Sequence, residues 1–163
     1  MRIARLAVAV AAILVATPGI ARAATIAQPF KADSGDICRH GVTEGTLAWQ
    51  TGVISPLPLL TVGVTGTVTD RPLPIDPTNC HDDGYNSTAT FVAYAGGAEV
   101  DRQSRTADNS TIQFRFSLGS TTKTAIDRVV VQVCRNPIVT LPPSYCGKPV
   151  TYLAPPVFGP AVS

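Results

Sequence analysis

Apolar and polar side chains alternate one for one through much of this chain, and nothing beyond Ala23 carries the stripe of an amphipathic helix. Alternation sends successive side chains to opposite faces of a strand, so the segments must pair into sheets and bury one face. In 61–69, Val62, Val64 and Val68 share one face, and Thr61, Thr65, Thr67 and Thr69 share the other. In 111–118, Ile112, Phe114, Phe116 and Leu118 oppose Thr111, Gln113, Arg115 and Ser117. Segment 127–133 repeats the pattern through Val129, Val131 and Val133, with Val130 as an interruption. Further strands are expected near 46–54, 88–95, 98–105 and 149–153, and a short one near 25–30.

Turn chemistry agrees with this spacing. Gly96-Gly97 supplies the positive φ angles of a two-residue hairpin. Asp108-Asn109-Ser110 and Gly119-Ser120 bracket the strand of 111–118, and the prolines of 71–77 keep that stretch out of any ladder. About seven short strands of this kind predict an all-β protein without substantial helix, an antiparallel immunoglobulin-like β-sandwich, with a small β-barrel as the alternative. Trp49 lies between Cys38 and Cys80, but Cys80 does not sit in an apolar strand with a tyrosine two residues earlier, so the immunoglobulin signature is partial.

The N-terminus limits where such a domain works. Arg2 and Arg5 precede an apolar run from Leu6 to Val15, and Ala21-Arg22-Ala23 follows, the order of a secretory signal peptide over 1–23. Its apolar run is too short to span a bilayer. Cleavage at Ala24 would leave a lead-in segment (24–36), a single domain (37–153) and a Pro-rich tail (154–163). Export places Cys38, Cys80, Cys134 and Cys146 in an oxidising compartment, where Cys38–Cys80 and Cys134–Cys146 are the expected disulfides. No cysteine stands at the cleavage point and no C-terminal anchor signal follows, so free release to the exterior is expected, without a membrane anchor.

Losing Arg2, Arg5 and Arg22 removes three of the 13 basic side chains, against 11 acidic ones, and turns the net charge slightly negative. A domain with that balance and no Lys/Arg run is not built for nucleic acid or anionic lipid. Three lysines among the basic residues, with abundant Ala, Val and Thr, fit a GC-rich bacterial genome.

Chemistry-bearing residues gather at two places. A Cys38–Cys80 bridge would draw Arg39, His40 and Glu44 towards His81, Asp82 and Asp83, a set able to bind zinc or shuttle protons, although plain turn side chains are the stronger expectation. The loop of 76–86 fails as an EF-hand, because His81 is a poor ligand for a hard cation and Thr90 replaces the bidentate carboxylate; Asp76, Asp82 and Asp83 remain an irregular calcium candidate. Glu99 and Asp101 share a strand, where alternation places both on one solvated face, and no G-x-S-x-G motif is present. No catalytic residue, metal or cofactor is therefore expected.

The second place is the segment closed by Cys134 and Cys146, stiffened by Pro137, Pro142 and Pro143 and carrying Ile138, Val139, Leu141 and Tyr145. Leu141 and Tyr145 are the candidate binding residues; inward folding to cap the domain is the rival expectation. The function expected is a non-catalytic secreted binding or surface module, with an extracellular protein or carbohydrate as ligand. The alternatives are an enzyme inhibitor using this loop, or an extracellular hydrolase.

Overall fold

The computed structural model describes residues 24–51, 61–72, 81–120, 124–139 and 143–156. Nine strands follow in order: β1 (Ala24–Asp33), β2 (Gly41–Thr51), β3 (Thr61–Asp70), β4 (Tyr85–Ala95), β5 (Ala98–Ala107), β6 (Thr111–Gly119), β7 (Arg128–Pro137), β8 (Tyr145–Cys146) and β9 (Val150–Leu153). No described residue is helical. One sheet has the order β1-β2-β3-β6; the other has β5-β4-β7, with β8 and β9 both paired to β7. Every pairing is antiparallel. The sheets stay separate, so the barrel alternative falls, and their inner faces share one core.

The expected strands are present, and most reach further than the sequence pattern indicates. The short strand expected near 25–30 is ten residues long and pairs along its whole length with β2. Strand β2 begins at Gly41 rather than near 46, because Gly45 breaks the pattern without ending the strand. Gly45 and Gly66 stand side by side in register, flanked by Phe30 and Phe114. The Phe30 ring lies over the two glycines, with its Cζ 2.9 Å from where a Cβ on either would stand. From the opposite sheet Phe91 meets Phe30, Phe114 and Phe116 edge-on, each at 5.3 Å between ring centroids. Edge-to-face rings of this kind add to the stabilisation from buried area alone.

The free edge of β1 is closed from the other sheet. The Tyr152 hydroxyl accepts the Lys31 N–H and donates to the Lys31 carbonyl, both at 2.8 Å, and Pro29 offers no N–H to a foreign strand. Cys134 and Cys146 are direct cross-strand partners on β7 and β8 and are disulfide-bonded. Cys38 is also disulfide-bonded; Cys80, expected as its partner, lies outside the described residues. So does the proposed signal segment. No described helix is long and apolar enough to cross a membrane.

Because the strands are antiparallel, the ends of β1, β3, β5 and β7 and the starts of β2, β4, β6 and β8 lie at one end of the described structure. That end carries the polar chemistry.

Candidate functional site

Among the inward-facing polar positions at this end, three meet one another. Asp70 continues the face of Val62, Val64 and Val68; Ser87 continues that of Ala89 and Phe91; Arg135 continues that of Val129, Val131 and Val133. All three are fully buried, and Arg135 is 0% exposed. A lone charge there would be prohibitive, so the groups must satisfy one another. Arg135 donates from Nη1 to the Asp70 carboxylate and to Ser87 Oγ (2.6 Å), and from Nη2 to Asp83 Oδ1 (2.5 Å) and the Tyr85 carbonyl (3.2 Å). Asp70 also accepts the Ser87 hydroxyl (2.7 Å) and the Asn109 N–H (2.9 Å). Burial pulls the Arg135 guanidinium below its ordinary value, with nearby Tyr145 and Asp36 acting the other way. It stays charged at neutral pH.

The network runs outward into the loops. His40 Nδ1 lies 2.9 Å from Asp36 Oδ1 and 3.7 Å from Asp83 Oδ2, and its Nε2 lies 3.3 Å from the His81 carbonyl. The His40 N–H donates to Asp36 at 3.1 Å, Ser34 Oγ donates to Asp36, and the Gly41 N–H donates to Ser34 Oγ at 3.0 Å. Burial opposes the charge on Asp36, but the Ser34 hydroxyl, the His40 N–H and the His40 ring outweigh it and hold the carboxyl below its usual 3.8. A carboxyl depressed in the fold stabilises it above the unfolded value and gives that stability back as pH falls through the folded value. The stability gap between the wild type and Asp36→Asn should therefore be widest above about pH 4 and shrink below it. Urea denaturation across the acid range measures the gap; a constant gap would refute the assignment.

The expected set is only partly brought together. His40, Asp83 and the backbone of His81 meet, but the His81 side chain is exposed. Glu44 turns to Lys31 at 3.0 Å on the outer face of its sheet, and the Arg39 Nε lies 3.8 Å from Asp33. Asp82 accepts from the Gly84 N–H (2.9 Å) and from Asn109 Nδ2 (3.1 Å). Asp76, the third calcium candidate, lies outside the described residues. Among the described residues no three His, Cys, Asp or Glu side chains are grouped to hold a metal ion. The common face expected for Glu99 and Asp101 is overturned. A β-bulge in the β4–β5 register parts them, so that Glu99 pairs with Arg102 (2.8 Å) while Asp101 accepts the Gly119 N–H of β6 (2.8 Å).

Arg135, Asp70 and Ser87 are absent from the sequence expectation, which ends β7 near Val133. The signal was parity. Asp70 and Arg135 each lie two residues beyond an inward valine, and both strands continue far enough to bury them.

Several apolar side chains are also exposed at this end. Ile138 is 55% exposed, Val139 68% and Tyr145 37%, and Ile37 protrudes completely from the β1–β2 turn. Tyr145 is half anchored, its ring edge-on to Tyr85 at 5.6 Å. Burial raises its phenol above 10.0, Asp36 adds to the shift, and Arg135 opposes it. The connecting segment is tied down on both sides: the Ile138 N–H donates to the Gly84 carbonyl (2.9 Å) and the Tyr85 hydroxyl to the Pro143 carbonyl (3.4 Å). Leu141, the other candidate binding residue, lies outside the described residues. No family model, curated protein or solved structure matches this chain.

Proposed function

We propose that this protein is a secreted, non-catalytic, immunoglobulin-like module that contacts an extracellular protein through the loop end described above. One observation carries the proposal. Arg135 and Asp70 are spent on each other beneath the surface, while aliphatic side chains stand exposed nearby on a tethered segment. Paired, buried charges fix loop positions; apolar groups on a stiff loop bind with little ordering cost. Aliphatic Ile138 and Val139 favour a protein partner over a carbohydrate.

Strand order supports the immunoglobulin-like reading. With β1 set aside as an added edge, β2, β3 and β6 form one sheet, and β5, β4, β7 and β9 the other. That arrangement follows the immunoglobulin order, with β5 beside β4 where variable-type domains place their additional strand. The Cys134–Cys146 bridge and the pattern of 1–23 support secretion.

A photo-crosslinking residue at position 138, in the protein exported by its native host, should give a discrete adduct with one extracellular protein. The same residue at Thr151, on the outer face of β9, should give none. An adduct at 151 with none at 138 would overturn the assignment. A hydrolytic enzyme captured at 138 would make the module an inhibitor.

A further inference from the structure

The outer face of the β1-β2-β3-β6 sheet carries a trough that runs across the strands. Lys31, Glu44, Thr67 and Gln113 stand in register along one side of it, and Pro29, Thr46, Thr65 and Arg115 along the other. Between these rows Phe30 and Phe114 turn inward and Gly45 and Gly66 have no side chains, so backbone forms the floor. A depression of about 760 Å³, bounded also by Tyr152, lies at the β1 end. Another of about 450 Å³ lies at the β6 end, and Gly66 and Thr67 line both. A third, of about 330 Å³, opens beside Thr67 and reaches Arg39 and Arg71.

Polar groups in the trough are left open. On the outer face of the other sheet, hydroxyls and amides bond one another: Thr88 to Thr106 at 2.9 Å, Thr90 to Ser104 at 3.1 Å and Asn136 to Thr88 at 3.0 Å. In the trough the side chains of Thr46, Thr65, Thr67, Gln113 and Arg115 have no protein partner among the described residues. Charge adds to the contrast. Lys31, Arg39, Arg71 and Arg115 line the three depressions against Asp33 and Glu44, four basic side chains to two acidic. Residues 24–163 as a whole are slightly acidic.

We propose that this trough binds an acidic polysaccharide, a glycan chain whose sugars carry carboxylate groups. The planar Arg115 fork takes a carboxylate through two N–H groups. The threonine hydroxyls and the Gln113 amide give and accept hydrogen bonds, as sugar hydroxyls require. The two rows stand about 7 Å apart and the floor crosses about 14 Å over four strands, which suits a chain laid across the sheet. Nucleic acid is a poorer match: it carries one charge per about 1.7 Å, and neither row has an aromatic side chain to stack a base. Neither row has a large apolar side chain to enter a lipid surface. The site lies on the other sheet from Ile138 and Tyr145 and does not rest on the contact proposed for them.

Amide chemical-shift mapping tests the proposal on the intact protein, with oligogalacturonate as the carboxylated probe and neutral dextran, dextran sulfate and single-stranded DNA beside it. Oligogalacturonate should shift the Gly45, Gly66, Thr67 and Gln113 amides and approach saturation by about 1 mM at low salt. Dextran should leave them in place. Arg115→Gln removes a group without a protein partner, so Tm should hold while affinity for oligogalacturonate falls about tenfold. Shifts confined to other surfaces, no saturation, an equal response to dextran, or unchanged affinity in Arg115→Gln would each overturn the proposal. Tighter binding of dextran sulfate or DNA at these amides would also overturn it, by assigning the trough to a different polyanion. The wild-type shift map decides the matter even where the variant fails to fold. Crosslinking at position 138 reports on the loop end alone, so the two ideas fail separately.

Discussion

Arg135→Ala should lower folding stability by about 3–5 kcal/mol, because it leaves the Asp70 carboxylate charged, buried and without its partner. For a domain of this size that is a fall of roughly 10 °C or more in Tm. Asp70→Ala should also destabilise, though less, since it leaves Nη1 of the guanidinium with Ser87 alone while Asp83 still holds Nη2. The double variant Arg135→Leu/Asp70→Leu removes both charges together and should recover most of the loss, as well-packed apolar replacements of buried ion pairs do. Urea denaturation of the singles and the double closes the cycle. Additive losses, or a single-variant loss below about 1 kcal/mol, would mean that the pair is not the buried unit described here.

Two glycines of β3, three residues apart, should respond to alanine with opposite signs. A Cβ on Gly66 would stand 2.9 Å from the Phe30 Cζ and 3.1 Å from the Gly45 Cα, as well as against the Glu44 carbonyl. Phe30 has no room to retreat, with Phe91 edge-on to it at 5.3 Å. Gly66→Ala should therefore cost about 1–3 kcal/mol or more. A Cβ on Gly63 points to the outer face and meets nothing closer than the Ala48 Cβ at 3.4 Å. Gly63→Ala should be neutral or stabilising by about 0.5–1 kcal/mol, through the lower conformational freedom of the unfolded chain. Thermal unfolding of both variants checks the pair; equal effects would contradict the packing of Phe30 over the glycine row.

Most of the strand pattern was legible because alternation needs only a polar face and an apolar face. Val62, Val64 and Val68 announce β3, and Ile112 to Leu118 announce β6. Gly45 hid the first half of β2, since a glycine that makes room for a ring from the neighbouring strand looks like a turn residue in sequence. The site was less legible for a related reason. Arg135 and Asp70 are charged, and in a one-dimensional pattern a charge ends a strand or marks its outer face. Only the pairing of β7 with β4, and of β3 with its neighbours, shows that both inward runs continue. His40 and Asp83 could be expected to approach each other through the cysteines beside them. That His81 contributes its carbonyl and turns its ring away could not, because loop backbone orientation leaves no periodic trace.

The central claim is that the charged groups at this end hold the loops in place. Thermal unfolding of Asp83→Asn at neutral pH tests it most directly. Asp83 accepts from Arg135 Nη2 at 2.5 Å and from the Tyr85 N–H at 3.1 Å, and neutralising it weakens a charge-assisted link between two loops and the core. A fall of about 1.5–3 kcal/mol, or roughly 5 °C in Tm, is the predicted result. An unchanged or raised Tm would contradict the account, because that is how residues respond when their charge is kept for chemistry at the expense of stability.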